Sequence, residues 1–261
     1  MQLYYVPDLR TNPVLPFEEA RHCLKVLRMK KGDIIMATDG MGNFYRGEIV
    51  EPDFQGITGH ASASLSNHTS TSLSNHARNN MIVVNVLETI PQPPLWKGRI
   101  EIAIAPTKNI DRIEWFAEKA TETGIDKISF LRCRFSERKE MHIERIRKIM
   151  ISAMKQSEKA LLPDLHGMSD FKDFIKQDFD GQKFIAHCHK GYKKLLSQAY
   201  KKNENALVLI GPEGDFSEEE IMLAIEQGFI PISLGASRLR TETAALIACQ
   251  TFHIVNQIGN E

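Results

Sequence analysis

Residues 207–220 read LVLIGPEGDFSEEE, which is an apolar run, a turn with two glycines and a polar segment in succession. The apolar run has the length of a buried strand. Ser217 and Glu220 have the spacing of a capping box, so we expect a helix to begin at this serine. Gly211 and Gly214 allow a tight turn and a close approach of the backbone to a ligand. The stretch is therefore a candidate ligand site at the carboxyl end of a strand in an α/β sheet, although taken alone it is more typical of an ordinary strand–helix turn.

A second strand end repeats this arrangement. Residues 232–248 read ISLGASRLRTETAALIA, so an apolar run ends at Gly235 and a polar cluster precedes an apolar helix. Either turn alone is typical of an ordinary strand–helix connection, but two at consecutive strand ends predict one shared crevice. Neither turn has the pattern of a phosphate-binding loop or a dinucleotide fingerprint. The acidic residues that follow Gly211 would also repel a phosphate.

A regular alternation of elements surrounds the two turns. Short apolar runs alternate with amphipathic segments, which is typical of a parallel sheet covered by helices on both faces. The predicted strands are Ile100–Ala105, Lys127–Leu131, Lys183–His187, Ala206–Ile210 and Ile230–Leu234. The predicted helices are Asp111–Thr123, His142–Lys159 and Ser217–Gln227. We expect residues 97–261 to form one α/β domain.

Residues 1–90 follow a different pattern and are predicted to form a small β-rich domain. A short helix is expected over Pro16–Arg28, and a hairpin is expected where a glycine-containing turn separates two strand-like runs. The proline-rich segment Ile90–Pro94 is predicted to be a linker. The predicted strands are Asp33–Thr38, Asn43–Val50 and Met81–Leu87.

A polar insertion interrupts this first domain at about residues 56–80. The segment is rich in Ser, Thr, Asn and His, and its pentapeptide SLSNH occurs twice. Such a composition buries too little apolar surface to offset the entropy of ordering, so an exposed insertion is predicted. His60, His68 and His76 recur every eight residues, but no acidic or cysteine partner accompanies them. We therefore expect no metal site.

Composition limits the class of protein. The chain has 261 residues, 42% of them hydrophobic, and 33 Lys and Arg residues balance 33 Asp and Glu residues. No apolar run reaches the length of a membrane span, and the first residues lack the pattern of a secretory signal. Four scattered cysteines indicate reduced thiols. We expect a cytoplasmic protein without a membrane partner, and the neutral total does not exclude a nucleic acid because it hides how charge is distributed.

The two glycine motifs together resemble the RsmE family of ribosomal RNA small-subunit methyltransferases, in GPEG…F…E at 211–220 and LG…LRTETA at 234–244. Further matches at 21–33, 108–124 and 156–163 extend the resemblance over both halves of the chain. It implies a PUA-like β-barrel domain, then a SPOUT α/β domain with a deep trefoil knot that binds S-adenosyl-L-methionine. The implied activity is methylation of N3 of one uridine in 16S ribosomal RNA, by a homodimer. Asp215 and Lys159 depart from the family pattern, which has glycine and arginine at these positions.

The resemblance also implies roles for individual residues. Uridine N3 carries a proton at neutral pH, so its methylation needs a base or an electrostatic assist. We expect Arg240 and Glu242 to be catalytic, the arginine stabilising charge on the uracil carbonyls and the glutamate orienting the base or accepting the proton. The alternative is a structural ion pair between them. The expected cofactor pocket consists of Ile210, Gly211, Pro212, Glu213, Gly214, Leu234, Gly235, Leu239, Arg240 and Thr243.

Basic residues are concentrated in two segments. Arg21–Lys31 has five basic residues and no acidic one, and Arg132–Lys155 has eight against three glutamates. Glu204–Glu226, by contrast, has seven acidic residues and no Lys or Arg. Each run alone is typical of a solvated face, but together the basic segments predict a footprint for RNA phosphates. The residues expected to contact small-subunit RNA, free or in the 30S particle, are Arg21, His22, Arg28, Lys108 and Gln156.

Two other functions remain open from the sequence. One is a knotted methyltransferase that acts on another RNA, such as transfer RNA. The other is a catalytically silent RNA-binding protein that assists ribosome assembly. The presence of Gly211, Gly235, Arg240 and Glu242 favours an active enzyme.

Overall fold

The computed structural model describes residues 2–50, 82–94 and 96–258. Two compact units are present, Met1–Pro93 with Glu158–Leu161, and Pro94–Ser157 with Leu162–Glu261. The first unit thus includes four residues from far along the chain, which the sequence did not predict. The polar insertion predicted at about 56–80 lies outside the described residues.

The first unit is built on a four-stranded sheet in the order β1-β2-β3-β4. β1 pairs parallel to β2, and the other neighbours are antiparallel. The predicted hairpin is confirmed as β2 and β3, but the predicted linker is wrong in part because Ile90 and Pro91 pair with β3. The strands are β1 (Leu3–Tyr5), β2 (Ile34–Thr38), β3 (Asn43–Val50) and β4 (Val83–Pro91).

The helix predicted over Pro16–Arg28 is shorter and changes type. α1 spans Phe17–Arg21 and continues as one π-helical turn over His22–Val26, in which the Leu27 N–H donates to the His22 carbonyl. Arg28 then takes a left-handed conformation, with φ of 54°, which ends the helix.

The second unit contains a seven-stranded sheet in the order β7-β6-β5-β10-β8-β11-β9, and every neighbouring pair is parallel. All five predicted strands are confirmed. β7 and β9 were not predicted, because β7 is mostly polar and β9 has only two residues. The strands are β5 (Ile100–Ile104), β6 (Lys127–Arg132), β7 (Asp164–Asp170), β8 (Gln182–Ala186), β9 (Lys194–Leu195), β10 (Ala206–Ile210) and β11 (Ile230–Ser233).

Helices cover both faces of this sheet, as predicted. The segment predicted as the helix His142–Lys159 begins one residue later and stops at Gln156, and Glu158 has a positive φ of 51°. The helices are α2 (Ile110–Thr123), α3 (Ile143–Gln156), α4 (Phe171–Phe174), α5 (Leu196–Ala199), α6 (Glu218–Glu226) and α7 (Thr241–Gln257). None of the helices in the described part of the chain is long and apolar enough to cross a membrane.

Alternation along the central strands explains why a parallel sheet forms here. Ile102 and Ile104 of β5 belong to a core shared with α2, α3 and α7, whereas Ala103 points to a second core shared with α4 and α6. β10 divides in the same way, with Val208 in the first core and Leu209 in the second. Strands that are apolar on both faces must be covered on both, which crossover helices achieve.

The strand order has one consequence for function. Because the seven strands are parallel, their carboxyl ends lie along one edge, and β10 and β11 each insert beside β8 rather than beside the preceding strand in the chain. The loops after β8, β10 and β11 therefore converge at this edge. The trefoil knot stays a prediction, since strand order alone does not define one.

Adjacent residues of α2 provide a test of this packing. Phe116 is fully buried in the first core, and the neighbouring Trp115 is 41% exposed. We expect Phe116→Ala to lower the free energy of unfolding by about 3–5 kcal/mol, because it leaves a cavity. Trp115→Ala, the matched control, should cost less than half as much in urea denaturation. Equal losses would contradict the assigned faces of α2.

Candidate functional site

A cavity of about 900 Å³ opens at the carboxyl edge of the sheet in the second unit. The residues that follow β8, β10 and β11 line it, together with Arg112 of α2. This is where the sequence predicted a crevice between two glycine turns. The lining combines apolar residues, such as Ile210 and Leu234, with charged ones, such as Glu213 and Arg240.

Most residues of the expected cofactor pocket line this cavity. Gly214 and Thr243 do not, although each is next to residues that do. The roles of all ten in binding stay predictions. Those that line the cavity are Ile210, Gly211, Pro212, Glu213, Leu234, Gly235, Leu239 and Arg240.

Glycine occurs in the two turns for different structural reasons. Gly235 has φ of +129°, which disfavours other residues, and no atom lies within 4 Å of the position that a Cβ would take. Its turn is therefore open to the cavity. At Gly211 a Cβ would lie 3.1 Å from the ring of Phe216, which is tighter than ordinary packing, so the glycine lets this ring pack closely on the turn.

The acidic segment after Gly211 connects three neighbouring loops through side-chain to backbone hydrogen bonds. Glu213 accepts from the Lys108 N–H after β5 at 3.0 Å. Asp215 accepts from the Cys188 N–H after β8 at 2.7 Å.

Glu220 provides the third connection. It is 6% exposed and accepts from the Arg134 N–H after β6 at 2.8 Å. The other carboxylate oxygen of Glu220 accepts from the Ser217 N–H, and Ser217 in turn caps the Glu220 N–H. The predicted capping box is thus confirmed, and its glutamate also fixes a neighbouring loop.

Asp215 occupies a left-handed backbone position, with φ of 65°. Glycine adopts this conformation without strain, and among other residues Asp and Asn tolerate it best. Two hydrogen bonds that a glycine could not form offset the strain of this backbone position. The Asp215 carboxylate accepts them from the Cys188 N–H and, at 2.8 Å, from the Phe216 N–H. The departure from the family pattern is therefore accommodated by the fold.

The two residues expected to be catalytic are placed differently. Arg240, immediately before α7, is exposed and lines the cavity. Glu242 is 6% exposed, lies outside the cavity lining and has one carboxylate oxygen 3.8 Å from Nε of Arg112. Arg112 lines the cavity, so the contact between Glu242 and the cavity lining runs through this arginine. Its direct role as a proton acceptor stays a prediction.

The loop after β8 contributes residues that the sequence did not predict for the site. His187, Cys188, His189 and Lys193 all line the cavity. Burial, and secondarily Lys193, lower the pKa of His187 to about 4, so its imidazole is neutral at pH 7. The signal in the sequence is too weak to predict this, because His187 and Cys188 stand at the end of an ordinary predicted strand without a recognisable motif.

The residues expected to contact RNA lie on both units. Arg21 and Arg28 are exposed on the first unit, and His22 is partly exposed in the π-helical turn. Lys108 and Gln156 are exposed on the second unit. Lys108 pairs with Glu137 at 3.0 Å, which raises the pKa of its ammonium group. Their roles in RNA binding stay predictions.

Comparison with protein families gives two matches. The model of an RNA methyltransferase domain matches residues 94–253, and that of an RNA methyltransferase PUA domain matches residues 15–60. A similar curated protein is the ribosomal RNA small subunit methyltransferase E of Rickettsia conorii, 30% identical over 171 residues, which cover 65% of this chain and 69% of that protein.

Solved structures share the fold over nearly the whole chain. A probable rRNA-methyltransferase of Porphyromonas gingivalis is 37% identical, with a TM-score of 0.83 over 98% of both chains. The ribosomal RNA small subunit methyltransferase E of Neisseria gonorrhoeae, bound to S-adenosyl methionine, has a TM-score of 0.77 over 98% of both chains at 21% identity. The second likeness supports the fold alone.

Asp215 provides a test of the loop connections. We expect Asp215→Gly to speed hydrogen exchange at the Cys188 amide about tenfold, because a hydrogen bond to a carboxylate is lost. Asp215→Asn is the matched control, since it keeps an acceptor oxygen and tolerates the left-handed backbone, and it should change exchange less. Exchange measured by mass spectrometry on peptides covering residues 187–193 checks this. If wild type and the glycine variant exchange alike, Asp215 does not hold the loop.

Proposed function

Because this chain belongs to the RNA methyltransferase family, in the group of ribosomal RNA small-subunit methyltransferases E, we propose that it transfers a methyl group from S-adenosyl-L-methionine to N3 of one uridine in 16S ribosomal RNA. The observation that carries this proposal is the cavity at the carboxyl edge of β8, β10 and β11, which both glycine turns line. Membership of the family and the presence of this cavity thus support the same activity.

The residues of the cavity fit S-adenosyl-L-methionine. The open space at Gly235 leaves the backbone of this turn accessible to an adenine or ribose, and Leu234 and Leu239 supply apolar surface. Glu213 and Asp215 would repel a phosphate, but they are compatible with a cofactor that has none and carries positive charge. When bound, this cofactor supplies a methyl group on a positively charged sulfur.

The chain's own contribution is positioning and electrostatics. The hydrogen-bonded loops fix the cavity walls, and holding two reactants in line accounts for much of the acceleration in a transfer of this kind. Arg240, exposed at the cavity, stabilises negative charge on a uracil carbonyl when the N3 proton passes to solvent water, and the N3 lone pair then takes the methyl group from the sulfonium. Glu242 holds Arg112 at the cavity wall and so orients the base indirectly.

In this proposal, residues of each unit bind the RNA. Arg21 and Arg28 of the first unit and Lys108 of the second present exposed cations to phosphates, and Gln156 and His22 add polar contacts. The substrate is small-subunit RNA, free or within the 30S particle, so the reaction takes place in the cytoplasm.

A homodimer is also part of the proposal. Ile247 and Ile254 are seven residues apart on α7 and are 38% and 48% exposed. This spacing places them on one face of the helix, and Trp115 on α2 is 41% exposed. In this proposal a second copy covers these exposed apolar side chains.

Two measurements together test the activity. We expect calorimetry to detect binding of S-adenosyl-L-methionine, which separates an enzyme from a silent RNA-binding protein. Mapping of modified nucleotides in ribosomal RNA from cells with and without the gene should show the loss of one N3-methyluridine in 16S RNA. An unchanged map, or a loss confined to transfer RNA, would overturn the proposed substrate.

Substitutions at Arg240 and Glu242 test the proposed roles. We expect Arg240→Ala to lower kcat by about a hundredfold, as loss of a charge-stabilising donor does. Glu242→Gln should lower kcat about tenfold and leave the pH profile unchanged, because it acts through Arg112. The double variant with Arg112→Ala should be no worse than Arg112→Ala alone. A pH profile that loses its acidic limb in Glu242→Gln would instead make this glutamate the proton acceptor.

A further inference from the structure

We propose that the exposed ring of Phe135 is a stacking platform for an unpaired base of the RNA, beside the cavity. This inference rests on the proposed function for the identity of the RNA, and it adds a contact that the predicted site residues do not include. Phe135 belongs to the loop after β6, at the same edge of the sheet as the cavity.

The loop that carries Phe135 is held in place on both sides of the ring. Ser136 closes a tight turn, since its hydroxyl accepts from the Cys133 N–H at 2.9 Å and its N–H donates to the Cys133 carbonyl at 3.1 Å. The Arg134 N–H donates to the buried carboxylate of Glu220. A ring on such a turn is already ordered before binding, so stacking costs little conformational entropy.

The ring itself lies against the first glycine turn. A Cβ on Gly214 would be 3.1 Å from the Cβ of Phe135, and yet 48% of Phe135 is exposed. Gly214 stands between Glu213 and Asp215, both of which line the cavity. The Cβ and the nearest ring atoms of Phe135 therefore pack on the turn that bounds the cavity, while about half of the residue is exposed. Gly214 is thereby explained as a close contact of Phe135 rather than as part of the cavity wall.

Basic residues occur on the loop of Phe135 and on the neighbouring loop after β5, and one of them contacts the ring. The guanidinium carbon of Arg134 lies over one face of the ring, 5.6 Å from its centroid, and the arginine side chain is 60% exposed, so a base stacks on the ring beside this cation or in its place. The guanidinium of Arg138 donates to the carbonyls of Thr107 and Lys108 at 3.1 and 2.6 Å. Lys108 has a side chain that is 78% exposed.

The acidic partners of these cations leave their charge available. Arg134 pairs with Glu219 and Lys108 with Glu137, but both pairs are largely exposed. Exposed ion pairs are weak and exchange readily for a phosphate. An aromatic face among basic side chains is the chemistry that recognises single-stranded nucleic acid, in which unstacked bases pack on rings while phosphates meet cations.

Direct RNA binding tests the platform independently of methyl transfer. The probe is a short single-stranded oligouridine that contains one 2-aminopurine, whose fluorescence is quenched on stacking. Phe135→Leu keeps the Cβ contact with Gly214 and removes the π face, and Phe135→Tyr is the matched control that keeps the ring. We expect the leucine variant to bind the oligonucleotide about five- to a hundredfold more weakly and to lose the quenching, because stacking on an aromatic ring contributes on this scale. The tyrosine variant should match wild type.

Other readouts separate failure of the platform from failure of the proposed function. Thermal melting and calorimetry with S-adenosyl-L-methionine should give equal results for wild type and both variants. If wild type binds and stacks the probe but transfers no methyl group, the activity is wrong and the platform stands. Equal RNA binding and quenching in wild type and Phe135→Leu overturn the platform, whatever the activity. A change only in self-association, measured by sedimentation, would assign the ring to a second copy and overturn it as well.

Discussion

The site depends on one type of interaction, in which carboxylates accept hydrogen bonds from backbone N–H groups of neighbouring loops. Glu213, Asp215 and Glu220 lie within eight residues of one another, and each accepts from a loop that follows a different strand. Parallel strands deliver these loops to one edge but do not fix their conformations. A hydrogen bond to a charged acceptor contributes more than a neutral one, so three of them fix the loops after β5, β6 and β8 to the segment that follows β10.

These hydrogen bonds also account for part of the acidic segment Glu204–Glu226 in an electrically neutral chain. Acidic residues after a strand would repel a phosphate-bearing cofactor, but they suit a site whose ligand carries positive charge. Two of the three carboxylates, those of Glu213 and Asp215, line the cavity while they hold the loops. Glu220 is buried and serves both the start of α6 and the turn that presents Phe135. Structural and functional uses of the acidic residues therefore coincide.

Local patterns predicted most of the second unit, and the exceptions have physical reasons. The confirmed strands are continuous apolar runs, for which burial on both faces leaves few alternatives. β7 was not predicted because it is mostly polar. It lies at the edge of the sheet, where a strand hydrogen-bonds to one neighbouring strand only and does not need to be apolar on both faces. The predicted helix His142–Lys159 ended early at Gln156, since residues 158–161 belong to the first unit. No local sequence pattern shows that these four residues belong to the first unit.

The sequence by itself determined the two glycine turns, the capping box at Ser217, the class of sheet and the family, because each of these depends on residues close together in the chain. Tertiary structure alone decided which side chains meet. Arg112 approaches Glu242 across 130 positions, and Asp215 reaches Cys188 across 27. Phe135 reaches Gly214 only because β6 and β10 flank β5 in the sheet. Contacts of this kind depend on strand order, which is set by the packing of the whole domain and not by any segment of it.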